Sequence, residues 1–196
     1  MNPIETSKNL FGRLCRRTGD FLGRFARARD GIAALEFAVI SPIMISLYFG
    51  VTELSDALTA GAKTTAVAAS AADLVAQDTK ICNAEMNDIF SALDAIMFPY
   101  PGGNMHIVIS SLIDAGNGTV KVAWSDAHNG SPRVVNSVVP IPSGLVDTGG
   151  SVIFAEVNYS YSSPTGKLIY GSIPLNDKFY MRPRRVSQVT RTATTC

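Results

Sequence analysis

Residues 32–51 (IAALEFAVISPIMISLYFGV) carry one charged side chain in twenty positions. A helix rises 1.5 Å per residue, so about twenty apolar residues cross the ~30 Å hydrocarbon layer of a bilayer. This run predicts a single membrane span and a bitopic chain. The one charge, Glu36, sits near its start. A carboxylate in the middle of a bilayer costs roughly 2.5–3.5 kcal/mol on insertion scales, so it needs a compensating partner or a place at the membrane edge. A side chain that merely snorkels to the interface of an ordinary anchor is the alternative.

The flanks orient the span. Residues 1–31 hold seven Lys/Arg (Lys8, Arg13, Arg16, Arg17, Arg24, Arg27, Arg29) against Glu5, Asp20 and Asp30, a local charge of +4 within a chain of net +1. The remainder is therefore at −3. A basic arm ending at an apolar span predicts a cytoplasmic N-terminus and an exported C-terminal part, by the positive-inside rule. A nucleic-acid-binding arm needs no span beside it, so no nucleic-acid partner is expected. A removable secretory signal is the other alternative, but its apolar core is usually only ~7–15 residues with a small-residue site directly behind. Here the small-residue run AVAASAA at 66–72 lies beyond Thr52, Glu53, Ser55, Asp56 and Lys63.

The pattern beyond the span predicts an α+β fold. From Val51 to Gln77 there is no proline, alanine is frequent, and Val51, Leu54, Leu58, Ala62, Thr65, Ala69, Ala72 and Ala76 recur at three- and four-residue steps. One helix over residues 32–78 is expected, followed by a second over 83–98 with Met86, Ile89, Phe90, Leu93, Ile96 and Met97 on one face, stopped by Pro99 and Pro101. The periodicity then changes to two. Residues 105–113 and 120–125 flank DAGNG, whose Asn117-Gly118 signals a hairpin, and 152–161 alternates cleanly. A fourth strand is expected near 178–189, with Pro183 at an edge or bulge. Residues 126–150, rich in Gly, Pro, Ser and Asn, read as a long loop in which VVNSVVPIP forms either irregular chain or an extra strand. The domain reading is a leader over 1–31, a transmembrane helix over 32–51, a helix extension over 52–80 and a periplasmic α+β domain over 81–196.

Chemistry for an enzyme is missing. His106 and His128 are the two histidines, and Asp126 with His128 falls short of a metal-ligand set or a triad; no Walker A run, CxxC or HExxH occurs. No cofactor and no catalytic residue are expected. RPRR at 182–185 reads either as a solvated edge or as a surface for anionic lipid or an acidic partner. Of the cysteines, Cys15 lies in the cytoplasmic arm, whereas Cys82 and Cys196 both lie on the exported side, where an oxidising compartment permits one disulfide. An intramolecular Cys82–Cys196 bond is expected, with free thiols or an intermolecular bond as the alternatives.

The segment GIAALEFAVISPIMISLYFGVTEL, with a glycine closing a basic leader and Glu36 as the fifth residue after it, resembles the processing motif of type IV prepilins and in particular the TadE-like family of tight-adherence pilus systems. The resemblance covers residues 31–54 and extends loosely to a late RPR and a terminal cysteine. It implies cleavage between Gly31 and Ile32 by a prepilin peptidase, a mature minor pseudopilin of TadE or TadF type, and no enzymatic activity of its own. It further implies, as partners, a paralogous pseudopilin, the major pilin and the inner-membrane pilus platform, with the protein single-pass in the inner membrane or incorporated in the pilus. Cleavage would place a cationic amine on Ile32, one helical turn from Glu36, which can compensate it within a chain or between neighbours. Pro42 removes the helical donor to the Ala38 carbonyl and so marks a place where the span can bend. The rival reading is an uncleaved bitopic binding or adhesion module that recognises a ligand through residues 126–150.

Overall fold

The computed structural model describes residues 30–116, 119–142, 144–163 and 171–193. The element order is α1 (Asp30–Gln77), β1 (Lys80–Ile81), α2 (Asn83–Met97), a 3₁₀ turn (Gly102–Asn104), β2 (Met105–Asp114), β3 (Val120–His128), β4 (Ser151–Tyr161), β5 (Ile173–Met181) and β6 (Thr190–Arg191). The fold is α+β, as the periodicities require. The chain divides into two compact units, Met1–Thr52 and Glu53–Cys196, and α1 contributes residues to both.

In the second unit β2, β3, β4 and β5 form one antiparallel sheet in the order β3-β2-β4-β5. Strands alternate their side chains between two faces, so the sheet carries two cores. Met105, Ile107, Ile109, Ile153, Ala155, Val157 and Tyr159 join buried residues of α1 and α2 in the larger core. Leu112, Val122, Val152 and Phe154 join Val139 on the opposite face. That second core explains the long loop. Its residues Val139, Ile141 and Val146 cover apolar sheet surface, and Val122 and Val120 exchange backbone hydrogen bonds with Asn136, Ser137 and Val139 (2.8–3.0 Å). VVNSVVPIP is therefore a short additional rung, with Val138 bridging Lys121.

Helix α2 buries Met86, Ile89, Phe90, Leu93 and Met97, as its spacing predicts, with Ile96 partly covered. In α1 the buried positions are Ala60, Thr64, Val67, Ala68, Ala71, Ala72, Val75 and Ala76. The expected stripe is thus right at Ala72 and Ala76 and misplaced earlier: Leu54 and Leu58 are exposed, as are Ala62 and Thr65. The reason is that alanine packs close to its neighbours without being very hydrophobic, so in an alanine-rich run periodicity barely distinguishes one face from the next.

Both helices lack a basic residue in their last turn. Distant residues supply the missing donors. Lys63 Nζ of α1 donates to the Ile96 and Phe98 carbonyls at the end of α2 (2.9 and 2.8 Å). Arg184 donates its backbone N–H to Ala76 at the end of α1 (2.9 Å), and its guanidinium pairs with Asp73. The Lys63 ammonium and the Arg184 amide satisfy carbonyls that a helix end leaves without a partner, and Lys63 places positive charge at the negative pole of α2.

The fourth sheet strand lies earlier than the sequence suggests, at Ile173–Met181. Pro183 falls beyond it, and the proline inside it is Pro174, tolerated because β5 is an edge strand. At the β2–β3 turn, Asp114 Oδ1 accepts from the Gly116 amide (2.9 Å) and Gly116 has φ +81°; the expected turn pair Asn117-Gly118 lies outside the described residues.

Leu93→Ala should lower the unfolding free energy of the second unit by about 2–5 kcal/mol, because it empties a wholly buried site. Leu58→Ala, at 66% exposure, should change it by less than about 0.5 kcal/mol. Denaturant titration of the two variants checks the buried face of α1 and α2. A large effect of Leu58 would contradict it.

Candidate functional site

The sequence points to the start of α1 as the functional segment. Gly31, Ile32, Glu36 and Pro42 all lie on one continuous helix. Ile32 and Glu36 are four residues apart, which sets them one turn apart on the same face. Ile32 is 60% exposed, and Leu35, Phe37, Val39, Ile40, Ile43, Met44, Ile45 and Leu47 are likewise exposed. From Gly31 to Gln77 the helix is long and apolar enough to cross a membrane, and none of its most apolar window is buried. An apolar surface of that extent is not stable in water, and hydrocarbon is the medium that suits it.

Within this segment two hydroxyls are satisfied by the helix itself. Ser46 Oγ donates to the Pro42 carbonyl (2.8 Å) and Thr52 Oγ1 to the Phe49 carbonyl (2.9 Å). Back-bonding of hydroxyls to the preceding turn is how such side chains become compatible with lipid. Pro42 sits inside the helix and has no N–H of its own.

Cys82 is buried at the start of α2, where its backbone N–H donates to Glu85 Oε2 (3.0 Å). Cys196 lies outside the described residues, as does Cys15. The chain just before the terminus is nonetheless tied beside Cys82. β6 pairs in parallel with β1, matching Thr190 to Lys80 and Arg191 to Ile81. The Thr192 N–H donates to the Ile81 carbonyl (2.9 Å), and Asn83 Nδ2 donates to the Ala193 carbonyl (2.8 Å). Trp124 Nε1 holds the Val189 carbonyl (2.8 Å).

Asp126 and His128 have separate partners. Asp126 takes two hydrogen bonds from Arg191 (2.7 and 3.2 Å), whose guanidinium also donates to Asn83 Oδ1 (2.6 Å). His128 Nε2 meets Asp94 Oδ2 (3.1 Å) while its ring stacks on Phe90. Gly102 lies against that aspartate: a Cβ there would stand 2.8 Å from Asp94 Oδ1. His106 Nδ1 contacts the Asn129 carbonyl. Among the described residues no group of three or more His, Cys, Asp or Glu side chains is placed to hold a metal.

Two arginines of RPRR are engaged within the chain, while Arg185 is exposed. Arg182 pairs with Asp147 (2.8 Å) and donates to the Leu145 and Gly144 carbonyls, fastening the loop, and Arg184 docks on α1. Sequence reading also missed Glu156, a 14% exposed carboxylate on the central strand β4, paired with Arg133 (2.6 Å) and Lys178 (3.5 Å). The alternation of β4 marks Glu156 as facing away from the helices, but nothing local identifies cations that lie over twenty residues away in sequence.

Three tyrosines gather near the first turns that α1 adds to the second unit. Tyr100 Oη donates to the Asp56 carbonyl (3.0 Å), and its ring meets Tyr161 edge-on at 5.9 Å. Burial raises the phenol pKa of Tyr100, Tyr159 and Tyr161 above the ordinary value; the Asp56 carboxylate adds to this for Tyr100, Tyr100 adds to it for Tyr159, and Glu53 and Asp56 add to it for Tyr161.

These residues define an α+β unit joined to a helix able to cross a bilayer. Residues 31–73 match the model of the TadE-like protein family. The match covers the glycine, the apolar run with its glutamate and most of the remaining helix, and it supports the TadE-like assignment read from the sequence. Neither a curated protein nor a solved structure matches the chain.

The raised phenols predict an alkaline limit to stability. The folded state keeps protons that the unfolded chain begins to lose near pH 10, so their contribution is intact below about pH 10 and is lost as pH rises through the folded values. The urea midpoint of the detergent-solubilised protein should fall between pH 10 and 11, and Tyr161→Phe should flatten that fall. An equal slope in the two proteins would contradict the assignment.

Proposed function

We propose that this chain is a minor pseudopilin, of TadE or TadF type, in a tight-adherence (Flp-type) pilus system. It acts as a structural or assembly component, not as an enzyme. Residues 32–51 anchor it in the inner membrane with the N-terminus cytoplasmic, and the α+β unit stands in the periplasm. One observation carries this reading: the family match coincides with an apolar run, residues 32–51, whose lone carboxylate lies one helical turn into it, behind a glycine closing a basic leader.

In this account a prepilin peptidase hydrolyses the Gly31–Ile32 peptide bond. Water adds across it, the leader departs with the new carboxylate, and Ile32 keeps a cationic amine. An ammonium at the membrane edge is costly without a partner, and Glu36 is the one acidic residue within 32–51. Pairing within a chain needs only helical spacing. Pairing between chains would in addition set the axial register of neighbouring subunits. Pro42 leaves the Ala38 carbonyl without its helical donor and gives the span a point of bending when it leaves lipid. The partners proposed are the peptidase, a paralogous pseudopilin, the major pilin and the inner-membrane platform.

The reading is tested at the bond itself. Protein isolated from its native membrane should begin at Ile32, and Gly31→Leu should leave the leader attached without reducing membrane insertion. An intact leader on the wild-type protein, in cells with an active prepilin peptidase, contradicts the proposal and favours an uncleaved anchor.

We propose further that Cys82 and Cys196 form a disulfide in the oxidising periplasm. What supports it is the tether: β6 on β1 and the Asn83–Ala193 hydrogen bond bring the chain to within three residues of Cys196 beside the helix start that Cys82 occupies. Closing a loop of more than a hundred residues stabilises by roughly 4–5 kcal/mol in the chain-entropy model. Alkylation before and after reduction, followed by mass measurement, should show two thiols of the exported unit labelled only after reduction. Labelling of both without reductant removes the bond, and a dimer-sized species replaces it with an intermolecular one.

A further inference from the structure

The two edges of the four-stranded sheet are treated differently. Along β3, residues 136–139 take up backbone groups of Val120 and Val122. Along β5 no strand lies on the outer side among the described residues. An open edge nine residues long is a template for another chain.

That edge has few donors to offer. In an antiparallel ladder alternate residues turn their N–H and C=O toward the same side. Lys178 N–H is taken by the carboxylate of its own neighbour, Asp177 Oδ1, at 2.7 Å. Residues of the same parity as Lys178 therefore face away from β4: Pro174, Asn176, Lys178 and Tyr180. Pro174 fits this independently, because it has no N–H to give and stands opposite Ser160 in the ladder. Of four outward positions, one lacks a donor by covalent structure and another has its donor occupied. Those two alternate with Asn176 and Tyr180, so no two successive outward donors are free, and an incoming strand would leave an acceptor unmatched at every second rung. The cost of burying such unpaired groups opposes its addition.

We infer that β5 is a closed edge, built so that a second copy of this chain cannot extend the sheet by strand pairing. Copies of the exported unit crowded together then meet through other surfaces. This inference stands on the β5 geometry alone and does not depend on the pilus reading.

Amide exchange on the full chain in lipid nanodiscs tests it. After correction for intrinsic rates, the Lys178 amide should exchange about tenfold more slowly than those of Asn176 and Tyr180, a ratio within reach of one intramolecular hydrogen bond. Asp177→Ala should bring Lys178 to the rate of its neighbours. The double variant Pro174→Val, Asp177→Ala restores both donors and should form concentration-dependent oligomers by light scattering in detergent, under conditions where wild type and an Asn176→Ala control do not. Equal fast exchange at all three amides would overturn the inference, as would equal protection at all three, which means that a strand already occupies the edge. A double variant that folds and keeps the wild-type oligomeric state would overturn it as well. If that variant does not fold, the wild-type and Asp177→Ala exchange rates decide.

Discussion

Hydrocarbon offers a peptide no donors and no acceptors, so a chain that enters it must satisfy each polar group from its own length. The N-terminal part of α1 meets this constraint almost completely. Its backbone is helical, and Ser46 and Thr52 return their hydroxyl protons to carbonyls of the preceding turn. Two groups stand out: the Ala38 carbonyl, deprived of a donor by Pro42, and the carboxylate of Glu36. A cost concentrated at two positions in an otherwise uniform span calls for a use. In the proposed function the carboxylate matches the amine that processing creates, and the proline provides the point at which the helix yields.

The second unit solves a related problem in water. Two helices pack on an antiparallel sheet, and both helix C-termini are finished by donors from elsewhere in the chain, the Lys63 ammonium for α2 and the Arg184 backbone amide for α1. The last strand is fastened in the same manner, through Arg191 on Asp126 and Asn83 and through the Trp124 indole on Val189. Residues that read locally as surface charge thus tie together parts of the chain separated by 33 to 111 positions. Such contacts also commit Asp126 to Arg191, and His128 to Asp94 and Phe90.

What was legible in the sequence follows from the range of the forces involved. Helix α2 was readable because large apolar side chains repeat at helical spacing, and β4 because they alternate. The anchor and the Gly31–Glu36 spacing are local and were equally readable. The buried face of α1 was not, since alanine gives little contrast between faces. β5 lies earlier than the expected 178–189 because Pro174, which reads locally as a strand breaker, is tolerated inside a strand at the sheet edge. The capping donors, the Arg133–Glu156 pair and the closure of β5 by Asp177 were invisible for a different reason: each depends on a partner that only the fold or the strand's place in the sheet identifies.

The central claim is that Glu36 faces the amine of Ile32 once the leader has gone. A lipid-soluble carbodiimide joins a carboxylate to an amine only when the two are in contact. Applied to assembled protein in its native membrane and followed by peptide mass analysis, it should yield an amide between the Ile32 α-amine and Glu36. Mixing differently isotope-labelled subunits tells a bond within one chain from a bond between neighbours. The account predicts that this product forms with the wild-type protein and is absent in Gly31→Leu, where the amine is never released. Processed protein whose Glu36 reacts with the carbodiimide but never couples to Ile32 would contradict it.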